Sequence, residues 1–182
     1  AANQMFKLAK ARLDSKDWKG TLEIANKTPE TAELKTELQD LISLAQAQSH
    51  AVSGSIAELE TAISLVQSIK TDSSMYSRSQ QSLEGWQLEI QDLATLQRAQ
   101  SVAATGDVKD LQVAITEAQR IPTSNPRGKE AAQVVTEWRK RIETIQDTPY
   151  LRTADTLAAG GTIEGVQSAI AQLSQIRSGR AL

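Results

Sequence analysis

Apolar side chains recur along this chain in a pattern that repeats every 52 residues. Leu34, Trp86 and Trp138 are equally spaced, and each is followed four residues later by Leu or Ile. The same shift relates further small and apolar positions, which are Gly54 and Gly106, Leu59 and Leu111, Ala62-Ile63 and Ala114-Ile115, and Ile69 and Ile121. A repeat of this length is typical of tandem helical units that bury matching apolar faces against one another.

Within each repeat the apolar positions lie three and four residues apart, which predicts α-helices. Glycine ends the longer segments, and Ser55 and Asp107 are suited to cap the shorter helices that follow. Aromatic residues make up only 3% of a composition dominated by helix-forming residues, so the predicted fold class is all-α. The predicted helical segments are residues 5–13, 17–27, 30–52, 56–69, 108–121, 131–145 and 163–176. A further segment begins at 76 and has its end left open between 93 and 104, and another lies between Pro149 and the break at Gly160-Gly161.

Two helical architectures are compatible with this pattern. In an α-solenoid, each repeat is a hairpin of antiparallel helices stacked on its neighbours. In a spectrin-like rod, the long helix of one repeat runs unbroken into the next, and unbroken helices of about 28 residues would favour this alternative (42 Å at 1.5 Å per residue).

The spacing of the last repeat favours hairpins. Trp86 and Gly106 are 20 residues apart, whereas Trp138 and Gly161 are 23 residues apart. Three added residues would rotate a continuous helix by about 60°, whereas a loop absorbs them. Asp147-Thr148-Pro149 supplies such a break, with Asp147 as an N-cap and Pro149 in the first helical turn.

We therefore expect a single helical repeat array over residues 1–182. Its repeats span residues 5–43, 44–95, 96–148 and 149–182, and the last is incomplete. The short helix of the fourth repeat has no Trp-containing helix after it, so its apolar stripe should be uncovered. Either the chain is a fragment of a longer array or another molecule covers that stripe.

A stripe of small and apolar residues, followed by a proline, resembles the tetratricopeptide type of helical hairpin. It comprises Ala99, Ala103, Gly106, Leu111, Ala114, Ile115 and Ala118, with Pro122 after the short helix. The period departs from the tetratricopeptide length of about 34 residues. The resemblance implies a right-handed superhelical array of helical hairpins.

The repeats are also similar to uncharacterised tandem helical repeats of cyanobacterial proteins. The similarity lies in the Ala-rich segment that ends at Gly161, in the Ala169-Ile170 pair, and in Trp138 followed by Ile142. Such proteins are often tethered to membranes outside their repeats. The resemblance thus implies that a soluble repeat region could belong to a membrane-tethered protein.

Charge and cysteine content exclude several classes of protein. The formal net charge is −2, so no global field attracts nucleic acid or an acidic membrane surface. The middle of the chain is acidic and both ends are basic, which permits self-association. Without cysteine there is no disulfide framework, and no apolar stretch approaches the roughly 20 residues that cross a bilayer. We expect the chain to be soluble as given, without direct membrane insertion; its compartment stays unknown, and the cytoplasm is favoured over the alternatives.

The chain offers few groups for catalysis. His50 is the only histidine, so His-based triads and common zinc sites lack the necessary parts. The carboxylate pairs Glu33–Glu37 and Asp107–Asp110 have same-face helical spacing, whereas Glu58–Glu60 does not, and solvated helix faces explain them all. We therefore expect no enzyme, no catalytic residue, no metal site and no cofactor.

Basic and aromatic side chains are the candidates for contact with a partner. The densest basic cluster comprises Arg127, Lys129, Arg139, Lys140 and Arg141. It is interrupted by glutamates and lacks the broad basic stripe that nucleic-acid binding needs, so a protein partner is expected.

The three tryptophans are expected to differ in role. Trp86 and Trp138 share one register, which predicts a place between stacked hairpins, whereas Trp18 lies outside that register and is a candidate contact. The function predicted from these patterns is a non-catalytic scaffold for protein interaction or assembly. The alternatives are a structural spacer rod, and a docking or regulatory domain of a larger protein.

Overall fold

A computed structural model describes residues 1–176, and the end of the predicted fourth repeat, residues 177–182, lies outside the described part. The described residues form helices and no strands, which confirms the all-α prediction. The helices are α1 (Ala2–Asp14), α2 (Trp18–Lys27), α3 (Lys35–Ala51), α4 (Ile56–Val66), α5 (Tyr76–Ala103), α6 (Val108–Ala118), α7 (Gly128–Ala159) and α8 (Ile163–Leu173).

The chain divides into two compact units, and the division falls within α5. The first unit is Ala1–Leu93, and the second begins at Ala94. The boundary predicted between the second and third repeats, at 95/96, lies close to this division. Stacking of four repeats in a single array stays a prediction.

The first unit is built around a core of leucines and alanines. Helix α2 contacts α1 and α3, and α3 contacts α4. Leu41 and Leu44 of α3 and Leu59 of α4 are fully buried, and Trp86 of α5 joins the same core. The short helices α2 and α4 therefore bury their apolar stripes between longer neighbours.

In the second unit, α6 is enclosed by the end of α5 and the beginning of α7. Leu111 and Ala114 of α6 are fully buried against Ala99 of α5 and Val135 of α7. Helix α7 is followed by α8, which packs against the C-terminal half of α7. The two halves of α7 thus contact different short helices.

The turns that precede the short helices repeat one conformation. Gly54, Gly106 and Gly161 have φ values of 65°, 80° and 67°. Residues with a Cβ rarely adopt this left-handed region, so glycine suits the end of each long helix.

The residue after each of these glycines caps the short helix, since Ser55, Asp107 and Thr162 accept hydrogen bonds from backbone N–H groups at 3.3, 2.9 and 3.0 Å. Helices α4, α6 and α8 each contain 11 residues. The predicted caps at Ser55 and Asp107 are confirmed.

The predicted break at residues 147–149 is wrong, because α7 runs unbroken for 32 residues with Pro149 inside it. Asp147 is 1% exposed within the helix and is not an N-cap. A proline inside a helix removes one backbone hydrogen bond and costs about 3 kcal/mol. Burial of α7 against α6 on one side of Pro149 and against α8 on the other outweighs this local cost.

Helix α5 is unbroken as well and contains 28 residues. The hairpin solenoid requires that the long helix be divided into two at each repeat junction. Neither α5 nor α7 is divided in this way. Both helices reach the length of about 28 residues that the rod alternative requires, and the choice between rod and solenoid stays a prediction.

The three added residues of the last repeat lie inside α7. The sequence Ile-Gln-Asp ends at Asp92 in α5 and at Asp147 in α7, and each aspartate precedes its short-helix cap by 15 residues. The corresponding aspartate of α3 is Asp40. The insertion therefore precedes Asp147, and the segment from this aspartate to the end of the short helix keeps a constant length.

Candidate interaction surface

Helix α8 is held against α7 by a close approach between the two backbones. A Cβ atom at Gly165 would lie 2.5 Å from the carbonyl oxygen of Leu157, so only glycine fits between the helices here. The hydroxyl of Thr162 accepts a hydrogen bond from the Gly165 N–H at 3.0 Å. Ala169 is buried on the same side of α8. Contacts within the chain therefore fix both the position and the rotation of α8.

An apolar stripe runs along another face of α8 and is exposed to solvent. The exposed fractions of its residues are 79% for Ile163, 45% for Val166, 61% for Ile170 and 43% for Leu173. At about 100° per residue, these positions fall within an arc of about 80° on the helix. We call these four residues the α8 stripe. The uncovered stripe predicted for the fourth repeat is confirmed among the described residues.

Helix α6 carries the equivalent stripe, but there it is covered. Leu111 and Ala118 are 0% exposed and Ile115 is 8% exposed. The corresponding residues of α8, in the same order, are Val166, Leu173 and Ile170, which are 45%, 43% and 61% exposed. Val135, Trp138 and Ile142 of α7 belong to the core that covers this face of α6. The α8 stripe thus has the sequence pattern of a buried helix face and lacks its cover within the described residues.

The corresponding face of α4, in the first unit, is also buried. Leu59, Ala62 and Val66 are 0% exposed, and Trp86 of the following long helix contributes to their core. In both units, therefore, the short helix that precedes a Trp-containing helix buries its stripe.

The basic cluster predicted as a partner contact is dispersed around α7. Successive residues of a helix turn by about 100°, so Arg139, Lys140 and Arg141 point in three directions. Lys129 and Lys140 are exposed. Arg127 is partly buried and forms an ion pair with Glu130 at 3.1 Å. The basic residues of this cluster are close in the sequence but do not form one compact cationic site.

Two of these arginines have local surroundings of their own. Arg139 borders a groove of about 360 Å³ whose apolar side is formed by Ala118, Ile121 and Val135. Arg141 lies over the turn at Gly106, where an added Cβ would lie 2.4 Å from the arginine Nη2. A cation near the C-terminus of α5 is favourable, because the last carbonyl groups of a helix carry partial negative charge.

The tryptophans occupy cores rather than open surface. Trp86 is 7% exposed in the core of the first unit, and Trp138 is partly buried against the core around α6. Their packing against helical cores agrees with the prediction, and a place between stacked hairpins stays a prediction. Trp18, which was predicted as a contact, is partly buried against the first core.

Polar side chains outside these surfaces are engaged in local contacts. His50 Nδ1 lies 2.5 Å from Glu58 Oε2, and Glu37 accepts hydrogen bonds from the N–H and the hydroxyl of Ser74. Asp110 accepts a hydrogen bond from Thr105 at 2.8 Å. Over residues 1–176, no group of three or more His, Asp or Glu side chains is arranged to hold a metal ion.

Comparison with known proteins gives no match: no family model, curated protein or solved structure is similar to this chain. The likeness to tetratricopeptide and cyanobacterial repeats therefore stays a prediction. Within residues 1–176, none of the helices combines the length and apolar character needed to cross a membrane.

Proposed function

We propose that the chain is a non-catalytic protein-interaction or assembly module whose partner covers the α8 stripe. The observation that supports this function is the exposure of Ile170 and Val166 at positions where α6 buries Ile115 and Leu111. A contiguous exposed apolar surface of this kind is typical of an interaction site. Burial of such side chains by a partner would favour association through the hydrophobic effect.

The exposed basic side chains of α7 are a second proposed set of contacts. Lys129 and Lys140 lie on the solvent side of the helix, and Arg139 borders the groove next to α6. Charged side chains at an interface steer association and contribute to specificity more than to affinity. Lys129 and Lys140 lie on the half of α7 that contacts α6, so they form a contact separate from the α8 stripe in this proposal. Trp18 is a weaker candidate because it packs against the core.

Affinity capture with three versions of the full chain tests this function. The wild type is compared with Ile170→Asp, which places a charge in the α8 stripe, and with Ser168→Asp, which places the same charge on the opposite side of α8. We expect one partner to be enriched at least tenfold by the wild type and by Ser168→Asp relative to Ile170→Asp. Its binding is then measured with purified components.

Equal capture by all three versions would contradict the proposal, provided that circular dichroism shows the same helix content. Because Ile170 is 61% exposed, its replacement removes little packing within the chain. A loss of partner binding in Ile170→Asp alone therefore reports on the surface rather than on folding.

A structural spacer is the second candidate, and the unbroken helices α5 and α7 favour it. Spin labels at Gln133 and Thr156, which are exposed positions near the two ends of α7, test the continuity of this helix. An unbroken helix places their backbones about 35 Å apart (23 residues at about 1.5 Å each). A narrow distance distribution near that value supports the spacer, and a broad distribution contradicts it.

A further inference from the structure

We propose that the partner which covers the α8 stripe is an amphipathic α-helix with the apolar spacing of the first half of α7. This inference rests on the proposed interaction function and specifies its ligand. The proposed contact resembles the one that covers α6. There α7 supplies Val135, Trp138 and Ile142, which are separated by three and four residues. The partner helix would occupy the equivalent position beside α8.

The surfaces of α6 and α8 that receive a neighbouring helix are equivalent. Helices α6 and α8 have the same length, follow a left-handed glycine and begin at a side-chain cap. In each, the helix also packs against the end of a long helix, which is α5 for α6 and α7 for α8. Helix α6 packs in addition against the beginning of the following long helix, α7.

The α8 stripe is ordered before any partner binds. Gly165 and Ala169 hold one side of α8 against α7, and the stripe is centred about 100° around the helix from this contact. A surface that is already ordered loses little conformational entropy on binding, which leaves more of the interaction energy for affinity. The stripe is therefore suited to receive the apolar face of a second helix.

The side chains of the α8 stripe are together as large as those of the covered stripe. At the three positions where α6 has Leu111, Ile115 and Ala118, α8 has Val166, Ile170 and Leu173. The α8 stripe is thus at least as apolar as the covered stripe, although all four of its residues are more than 40% exposed. This composition suits a surface that is buried in a complex.

A peptide with the sequence of residues 126–146, labelled with a fluorophore, provides the direct test. Its fluorescence anisotropy is measured while the full chain is added. We expect saturable binding that weakens at least tenfold when the chain carries Ile170→Asp, and that changes less than twofold with Ser168→Asp. A peptide with Trp138→Gln and Ile142→Gln should bind at least tenfold more weakly than the original peptide.

Several results would overturn the inference. Absence of saturable binding, or equal binding to wild type and Ile170→Asp, would show that this type of helix does not occupy the α8 stripe. A wild-type dimer that Ile170→Asp converts to a monomer would identify a second copy as the occupant. Association with phospholipid vesicles that Ile170→Asp abolishes, without peptide binding, would identify a lipid surface.

The two proposals fail in different ways. If capture of a partner depends on Ile170 but the peptide does not bind, the interaction function stands and the helical ligand is wrong. If neither capture nor peptide binding depends on Ile170, both proposals are wrong.

Discussion

Helices α6 and α8 have the same length and the same kind of turn, but their apolar faces have opposite surroundings. The stripe of α6 is buried between α5 and α7, whereas the α8 stripe remains exposed next to α7. The difference shows that a helix's own sequence sets which face is apolar, and that its neighbours determine whether the face is covered. The same pattern is therefore a core in one place and a candidate binding surface in the other.

The largest expected difference between the two helices concerns truncation of equivalent apolar residues. Leu111→Ala should lower the free energy of unfolding by about 3 kcal/mol, because it leaves a cavity in a closed core. Val166→Ala should lower it by less than about 1 kcal/mol, because Val166 is 45% exposed. Urea denaturation followed by circular dichroism measures both values. Equal losses would show that the two stripes are covered to the same extent.

The turns before α6 and α8 should differ by a smaller amount. Alanine at Gly106 or Gly161 must adopt a left-handed φ, at a cost of about 1–2 kcal/mol in either turn. At Gly106 the new Cβ also displaces the guanidinium of Arg141, whereas no atom lies within 4 Å at Gly161. We expect Gly106→Ala to be more destabilising by about 0.5 kcal/mol, and Arg141→Ala to remove that difference in a double-mutant cycle. A difference that persists without Arg141 would contradict this explanation.

The smallest destabilisation by a single substitution is expected at the helix caps. Asp107→Ala and Thr162→Ala each remove one hydrogen bond to a backbone N–H, worth about 1 kcal/mol. Because α6 is enclosed and α8 is not, Asp107→Ala should lower the midpoint of global unfolding, and Thr162→Ala should mainly accelerate amide exchange within α8. Hydrogen–deuterium exchange with mass spectrometry resolves the two helices. The same response in both variants would contradict the distinction.

The helices could be predicted from the sequence because their signals are local. Apolar spacing located each helix, and Gly54, Gly106 and their capping neighbours marked the turns. The uncovered α8 stripe could be predicted for the same reason, since it follows from comparing one repeat with the next.

The continuity of α7 could not be predicted in this way. Asp147 and Pro149 resemble the beginning of a helix when they are considered locally, whereas packing on both sides of Pro149 preserves the helix. For α7, tertiary contacts therefore decide between local alternatives. The dispersal of Arg139, Lys140 and Arg141, in contrast, follows from the turn of about 100° per residue in a helix that the sequence predicts over residues 131–145.

The most direct test of the account is the solvent exposure of isoleucine methyl groups, measured by NMR with a soluble paramagnetic probe on the monomeric chain. The account predicts strong signal loss for Ile163 and Ile170 in α8 and protection of Ile115 and Ile121 in and after α6, in line with their burial. Protection of Ile170 equal to that of Ile115 would contradict the claim that α8 presents an open apolar face.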